Sequence, residues 1–257
     1  MKVGIDVPDL RLSADIVRHA AYAGLRGTYQ RGLVRGLALP QRSDMTNIER
    51  RPAWPRIYLV RHAETDWNAE GRIQSRTDRP LNARGEAQAA DLAATLAGIR
   101  WDRAFSSPLV RARRTAKIVL AVRPDAPPLT VDERLVEMDF GPYEGWSEAA
   151  LEADPVAVTR RRDGAQLDGV ETEAAVEARA RAFLASLGDA PGTTLVVGHG
   201  RMLRILIATC VLGVPVGVSG RLRMRNCRPA IVEPGRTPLL LGLNLGLPGD
   251  VGPASIA

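Results

Sequence analysis

Cysteine and lysine are scarce in this sequence of 257 residues. The two cysteines, Cys210 and Cys227, form neither a CxxC pair nor a spacing typical of metal sites. A disulfide framework is therefore not expected, and reduced thiols in the cytoplasm are predicted. The only lysines are Lys2 and Lys117, so arginine supplies almost all of the positive charge. Such arginine usage is typical of a GC-rich coding bias and does not by itself indicate a surface that binds polyanions.

Long hydrophobic runs and aromatic residues are scarce as well. The longest apolar run, residues 205–218, has about 14 residues and is interrupted by Gly213 and Pro215, so it is too short to span a bilayer. No compact apolar segment follows the first basic residues, and a secretory signal is not expected. Aromatic residues make up only 4% of the chain, and no nucleic-acid-binding module is recognisable. These features predict a cytoplasmic protein with neither a membrane nor a nucleic acid as partner.

The surplus of positive charge is concentrated near the N-terminus. The formal net charge is +6, and residues 1–52 contain nine Lys and Arg against five Asp and Glu. This segment has no apolar run that could seed a core. Residues 1–52 are therefore predicted to be an N-terminal extension, either disordered or, for the part before Met45, the product of a mis-called translation start. Residues 53–257 are predicted to form the folded domain.

Short apolar runs alternate with helical patterns from residue 57 onward. Strands are predicted at residues 57–61, 103–106, 194–198, 228–232 and 239–243. This alternation is typical of βαβ units, in which a mostly parallel sheet is covered by helices. The predicted fold class is therefore α/β, a three-layer α/β/α sandwich around a mostly parallel central sheet.

The helices between these strands have local start and stop signals. Asn82 is predicted to cap a helix through ARGEAQAADLAATLA, and Ser107, followed by Pro108, to cap a helix through PLVRARRTAKIVLAV. A third helix is predicted through TEAAVEARARAFLASL, with Gly188 as its stop. A fourth is predicted to follow Gly200 through RMLRILIATCVLG.

Two of the three histidines, His62 and His199, directly follow predicted strands. Arg61 precedes His62, and Arg111 lies in the first turn of the helix that follows strand 103–106. In a parallel sheet, ligands bind beyond the carboxyl ends of the strands, where helix N-termini point N–H groups outward. Two imidazoles and two guanidiniums would meet there. An anion bound between them would offset the unfavourable concentration of positive charge. The sequence therefore predicts a site for a phosphoryl group.

Five segments, in their order and spacing, resemble the histidine phosphatase superfamily, which includes the cofactor-dependent phosphoglycerate mutases. They are LVRHAETDWN, GRIQSRTDRPLNARGEAQA, SSPLVRARRTA, ERLVEMDFGPYEG and LVVGHG, and the resemblance covers roughly residues 57–245. It implies a phosphoglycerate mutase-like fold for the predicted domain. Within the superfamily the phosphatase branch is favoured, because the segment that follows EMDFGPYEGW is shorter than in the mutases.

The resemblance implies a role for each residue of the predicted site. His62 would be the nucleophile that attacks phosphorus and forms a phosphohistidine, which water then hydrolyses. Arg61, Arg111 and, if protonated, His199 would keep His62 neutral and bind the phosphoryl oxygens. Glu137 matches the acid that protonates the leaving alcohol. Neither a metal ion nor a cofactor is required, and the implied substrate contacts come from Asn68, Gln74, Ser75 and Gly200.

Four positions depart from the pattern of the superfamily. Ala63 replaces the usual glycine after the nucleophile, although the backbone carbonyl that would orient the imidazole remains. Ser75 stands where glycine is common, Arg201 where a small residue is frequent, and Thr172 where serine is usual. Residues 141–172 are the expected lid. Asp139 and Glu144 are interpreted as structural. Thr65 and Trp67 are interpreted either as structural or as part of the pocket wall.

The predicted function is hydrolysis of a small phosphorylated metabolite. Phosphoryl transfer of the phosphoglycerate mutase type, and binding of a phosphorylated ligand without turnover, are the alternatives. A metal-dependent hydrolase that uses His62, Glu64 and Asp66 is a further one. The sequence leaves the substrate open among sugar phosphates, phosphoglycerate derivatives, phosphoserine and α-ribazole phosphate, and it leaves open whether the protein is a monomer or a homodimer.

Overall fold

The computed structural model describes residues 55–162, 166–189 and 191–245, and within them one six-stranded sheet organises the chain. The strands are β1 (Arg56–Arg61), β2 (Arg103–Ser106), β3 (Leu129–Val131), β4 (Thr193–Gly198), β5 (Pro229–Glu233) and β6 (Leu239–Gly242). They lie in the order β3-β2-β4-β1-β5-β6. The first four are mutually parallel, whereas β5 is antiparallel to both β1 and β6. The predicted mostly parallel sheet is confirmed, and the short strand β3 is an addition to the prediction.

Seven α-helices connect the strands in the described ranges. They are α1 (Asp66–Ala69), α2 (Ala83–Thr95), α3 (Val110–Ala121), α4 (Glu148–Ala153), α5 (Pro155–Arg162), α6 (Glu173–Leu187) and α7 (Gly200–Ile205). Short 3-10 helices occur at Glu133–Leu135, Gly141–Tyr143 and Val216–Arg221. The predicted fourth helix changes its hydrogen-bond pattern part-way, because α7 continues as a π-helix over Leu206–Val211.

Most of the predicted helix ends agree with the structure. The Asn82 side chain accepts a hydrogen bond from Gly85 N at 2.8 Å and caps α2. Thr172 caps α6 in the same way, through Ala175 N at 3.0 Å. Gly188 ends α6 with a φ of 64°, a left-handed conformation that glycine adopts without steric cost.

The predicted cap at Ser107 is wrong. Helix α3 begins at Val110, its N-cap is Leu109, and no side chain caps it. The Ser107 hydroxyl instead lies 2.7 Å from His199 Nε2. The hydroxyl thus contacts a residue far away in the sequence instead of capping the helix beside it. Arg111 still lies in the first turn of α3, as predicted.

The sheet is covered on both faces, as the sandwich prediction requires. Ile57 and Leu59 belong to a buried cluster with α6, α7 and the π-helix. Tyr58 and Val60 belong to a second cluster with α2 and α3. Successive side chains of a strand point to opposite faces, so β1 contributes alternately to the two cores. Its position in the sheet is thereby fixed by packing on both sides.

The carboxyl ends of β1, β4 and β2 meet at one edge of the sheet. Arg61 pairs with Gly198 in the parallel register, and Ser106 pairs with Val197. The residues that follow these strands are consequently neighbours in space. This edge is where the sequence predicts the anion site.

The predicted N-terminal extension and the absence of a membrane span are two further expectations from the sequence. The predicted extension, residues 1–52, lies outside the described residues, and its division from the predicted domain stays a prediction. Among the helices of the described ranges, none combines the length and the apolar character needed to cross a membrane.

Close packing of α2 against the loop after β1 gives a test of the fold. An ideal Cβ on Gly85 would lie 2.1 Å from the Glu64 carbonyl oxygen, so Gly85→Ala must displace backbone next to the site. We expect Gly85→Ala to lower the free energy of unfolding by about 1–3 kcal/mol, although alanine is the better helix former.

The matched control is Gly98→Ala, because an ideal Cβ on Gly98 meets no atom within 4 Å. We expect it to change the free energy of unfolding by less than about 0.5 kcal/mol. Urea unfolding followed by circular dichroism measures both variants. Equal stability of the two would contradict the close approach at Gly85.

Candidate active site

His62 lies directly beyond β1, with its backbone N–H bound to Gly198 O at 2.9 Å. Its imidazole is buried, and Nδ1 lies 2.7 Å from the Ala63 carbonyl oxygen. A carbonyl oxygen can only accept, so Nδ1 carries the proton of the neutral ring and Nε2 keeps its lone pair. The contact gives the imidazole the tautomer that a nucleophile attacking through Nε2 needs. Ala63 thus provides the orienting carbonyl, and its φ is not left-handed.

His199 lies beside His62, as the neighbouring strand ends require. The two ring centroids are 5.1 Å apart. His199 Nε2 and the Ser107 hydroxyl share a hydrogen bond of 2.7 Å, while His199 Nδ1 is buried without a partner among the described residues. An unpaired buried ring nitrogen is costly and would gain from a ligand that contacts it.

Arg111 is completely buried and reaches the site from α3. Its guanidinium donates from Nη1 to Thr77 O at 2.8 Å and from Nη2 to Ser75 O at 2.7 Å, and its Nε finds no partner in the described part of the chain. Burial lowers the pKa of Arg111 to about 10. The guanidinium is still charged at neutral pH. The protein interior therefore contains a fixed cation whose Nε–H can still donate a hydrogen bond.

Arg61 supplies the second guanidinium from the last residue of β1. Its Nη1 donates to Met224 O at 2.9 Å. An ideal Cβ on Gly200 would lie 3.3 Å from Arg61 Nε, so the guanidinium lies directly against the start of α7. The absence of a side chain at Gly200 makes this approach possible. Positive charge and the N-terminus of α7 are thereby combined at one place.

Both imidazoles are held in their neutral form. Burial lowers the pKa of His62 well below its usual value, and the charges of Arg111 and Arg61 lower it further. Burial and Arg111 likewise lower the pKa of His199. In the absence of a ligand, His199 is therefore neutral, and the charge around His62 comes from the two arginines.

The Glu137 carboxylate binds the N-terminus of α7, the helix that begins at Gly200 directly after His199. Its Oε1 accepts hydrogen bonds from Met138 N and Met202 N, both at 2.9 Å, and its Oε2 accepts one from Arg201 N at 3.1 Å. All three donors are backbone N–H groups, and two of them belong to the first turn of α7. The side chain is thus held by main-chain donors beside the predicted phosphoryl site.

The residues predicted to contact the substrate have distinct surroundings. Asn68 Oδ1 lies 3.3 Å from Thr65 N and completes a capping box at the start of α1. Gln74 is buried, and its Oε1 has no partner among the described residues. The Ser75 hydroxyl is bound within the protein, to the backbone of Met138 and Phe140. For all three, contact with a substrate stays a prediction.

The sequence did not predict two side chains that hold the backbone of His62 and Ala63. Asn226 Nδ2 donates to His62 O at 2.7 Å and lies 3.3 Å from Asn68 Oδ1. Thr115 accepts from Ala63 N at 3.0 Å through its hydroxyl. No sequence motif around Asn226 or Thr115 indicates these contacts. In the structure, Cys227, next to Asn226, has a left-handed φ of 51°.

The metal-dependent alternative lacks a ligand set. Within the described ranges, no group of three or more His, Cys, Asp or Glu side chains is arranged to bind a metal ion. Glu64, one of the residues considered for it, is engaged with Asn82 and Arg84.

Comparison with known proteins identifies the family of the chain. The family model described as histidine phosphatase superfamily (branch 1) matches residues 57–241. The chain belongs to the histidine phosphatase superfamily. The resemblance of the five segments is confirmed, and so is the fold class implied by it.

Relatives within the histidine phosphatase superfamily have different names. The protein named "Probable phosphoglycerate mutase GpmB" from Salmonella arizonae is 37% identical over 184 residues, 69% of this chain and 84% of that protein. The alpha-ribazole phosphatase from Shigella flexneri is 27% identical, with a TM-score of 0.65 over 74% of this chain and 96% of that one. A mycobacterial glucosyl-3-phosphoglycerate phosphatase is also 27% identical, with a TM-score of 0.66 over 74% and 99% of the two chains.

The lowered pKa values of His62 and His199 predict an unusual titration. An ordinary histidine is about 90% protonated at pH 5.5. Because the pKa of each of these two is lowered well below that of an ordinary histidine, we expect both rings to have a much smaller protonated fraction at that pH in ¹⁵N imidazole spectra. The variants His62→Gln and His199→Gln assign the two signals.

The same shifts affect stability with a defined sign. The unfolded chain binds these protons below about pH 6.5 and the folded chain does not, so stability decreases as the pH falls below that value. The slope is at most about 1.4 kcal/mol per pH unit for each histidine. A titration midpoint at or above pH 6.5 for the His62 ring would contradict its lowered pKa.

Proposed function

We propose that this protein is a phosphomonoesterase that hydrolyses a small phosphorylated metabolite through a phosphohistidine at His62. The observation that supports this most directly is the state of the His62 ring, with its Nδ1 proton bound to Ala63 O and its pKa lowered by burial, Arg111 and Arg61. Such an imidazole is neutral, oriented and next to two cations. That is what a nucleophile for a phosphoryl group requires.

In the first step, the phosphoryl group of the substrate binds between Arg61 and Arg111. The Nε2 lone pair of His62 attacks phosphorus, a P–N bond forms, and the ester P–O bond breaks. The positive charge that develops on the ring is stabilised through the Nδ1 contact with Ala63 O. The guanidiniums stabilise the charge on the phosphoryl oxygens without having to reorganise, which is the main source of catalysis in phosphoryl transfer.

Glu137 gives the leaving alkoxide its proton in this scheme. Its carboxylate accepts three backbone N–H groups in the ligand-free site, so it must gain a proton before it can donate one. The acid acts in its protonated form, and each turnover regenerates that form when Glu137 takes a proton from the attacking water. After the alcohol leaves, the carboxylate is again ionised and beside the phosphohistidine.

Water completes the cycle. It attacks the phosphohistidine, Glu137 takes the proton from the attacking water, and the P–N bond breaks to release inorganic phosphate and neutral His62. Every proton and electron pair is returned by this second step. We therefore propose an enzyme that needs neither a metal ion nor a cofactor.

Phosphoryl transfer to a second hydroxyl is the other candidate, and the name of the 37% identical relative favours it. The phosphatases among the structural neighbours favour hydrolysis. The two functions share the first step and differ in what attacks the phosphohistidine. We favour water, and we propose a cytoplasmic monomer or homodimer that binds neither nucleic acid nor membrane.

The proposed reaction predicts phosphate release that persists in EDTA. We expect the purified protein to hydrolyse simple phosphate esters at the same rate with and without the chelator. We expect His62→Ala to lose activity by about 10³-fold or more, because the nucleophile is gone. The matched control is His19→Ala in the predicted extension, which should keep full activity. Strict dependence on an added divalent metal would contradict the proposal.

The proposed phosphohistidine can be detected by mass, and its fate separates hydrolysis from the mutase reaction. Phosphohistidine is labile in acid. We therefore expect the protein to have its unmodified mass after an acid quench during turnover, and the mass of a phosphoenzyme after a neutral or alkaline quench.

The second measurement compares hydrolysis with transfer. Added 2- or 3-phosphoglycerate should be converted to glycerate and phosphate. Interconversion of the two phosphoglycerates faster than phosphate release would instead establish the mutase.

A further inference from the structure

Ser75 has an unusual combination of burial and backbone conformation. It is 2% exposed, and its φ is +49°, which lies in the left-handed region. A residue with a Cβ is uncommon there, and such a conformation persists only when the surrounding structure imposes it. The contacts of Ser75 should therefore show what imposes it.

The two ends of Ser75 bind different parts of the site. Its backbone carbonyl accepts from Arg111 Nη2 at 2.7 Å. Its hydroxyl accepts from Phe140 N at 2.7 Å and donates to Met138 O at 3.1 Å. One residue thus connects the buried guanidinium to the backbone on both sides of Asp139.

The segment that the hydroxyl binds is the one that positions Glu137. Met138 directly follows Glu137, and Met138 N donates to Glu137 Oε1 at 2.9 Å. The Glu144 carboxylate lies near the same hydroxyl. Burial raises the pKa of Glu144, but hydrogen bonds from Thr77 Oγ1 and Arg76 N to its carboxylate help to outweigh this, and the pKa is lowered. Every partner of the Ser75 hydroxyl therefore belongs to residues 138–144.

We propose that Ser75 is a positioning residue that sets the place of the acid Glu137 relative to the phosphoryl site. The proposal rests on the function proposed above, because it assigns proton donation to Glu137. The backbone carbonyl that orients Arg111 is present in any variant at this position. The hydroxyl is needed only for the link that runs through Ser75 from Arg111 to the segment of Glu137.

This division of roles predicts a selective defect. Loss of the hydroxyl should impair protonation of the leaving group and leave phosphate binding unchanged. An alkyl phosphate needs that proton, because its leaving alkoxide is strongly basic. The leaving group of para-nitrophenyl phosphate is a stable anion and needs it little. The two esters therefore report on the acid and on the rest of the site separately.

The test measures kcat/KM for glycerol 2-phosphate and for para-nitrophenyl phosphate, because kcat/KM reports the phosphorylation step whichever later step is slow. Ser75→Gly is the main variant, since glycine accepts the left-handed φ and removes the hydroxyl. Ser75→Ala is the second variant. Ser186→Ala is the matched control. It also removes a hydrogen-bonded hydroxyl, but Ser186 Oγ bonds to Phe183 O and Arg134 near the end of α6, not to a residue of the site. Glu137→Gln gives the pattern expected for loss of the acid.

We expect Ser75→Gly to lower kcat/KM for glycerol 2-phosphate at least tenfold, with less than a twofold change for para-nitrophenyl phosphate. Inhibition by inorganic phosphate should change less than twofold, and Ser186→Ala should resemble the unmodified protein. Glu137→Gln should show the same selectivity with a larger loss.

Three outcomes would overturn the proposal. They are equal losses on both esters, no loss on either, and failure of both Ser75 variants to fold. If the unmodified protein hydrolysed neither ester, or if Glu137→Gln showed no selectivity, the proposed function would fail first. The two failures are therefore distinguishable.

Discussion

The parallel pairing of β1 with β4 is the constraint on which the site depends. The two strands are buried on both faces, and their register places Arg61 opposite Gly198. His62 and His199 consequently leave the sheet side by side, with ring centroids 5.1 Å apart. A slip of one residue would displace the rings by about 3.3 Å and turn each side chain to the other face. Apolar packing in the two cores thus determines a distance that matters for chemistry.

The electrostatics of the site are unfavourable until an anion enters. A buried guanidinium at Arg111, a second at Arg61 and the N-terminus of α7 all bring positive potential to one place. The protein offsets part of this with backbone carbonyls and with Glu137, and it keeps both imidazoles neutral. What remains is a buried cluster of positive charge in which Arg111 Nε has no partner among the described residues. Phosphate dianions fit this description, because they carry charge and several acceptor oxygens.

The sequence predicted what local patterns encode. The central strands were found because strands buried on both faces form nearly continuous apolar runs, whereas β3 has only three residues, two of them exposed, and was missed. The cap at Ser107 was predicted wrongly because its hydroxyl bonds to His199, 92 residues away. Asn226 was missed because it contacts His62 across 164 residues. The site could be assembled from motifs, but its supporting contacts depend on tertiary structure.

The bond between His62 Nδ1 and the Ala63 carbonyl has a chemical consequence for the proposed intermediate. Imidazole can be phosphorylated on either nitrogen, and the two isomers differ in lifetime and in recognition by other proteins. A proton fixed on Nδ1 leaves only the far nitrogen reactive, so one regioisomer alone can form. The identity of that isomer is decided by a main-chain oxygen, which no side-chain substitution at position 63 removes.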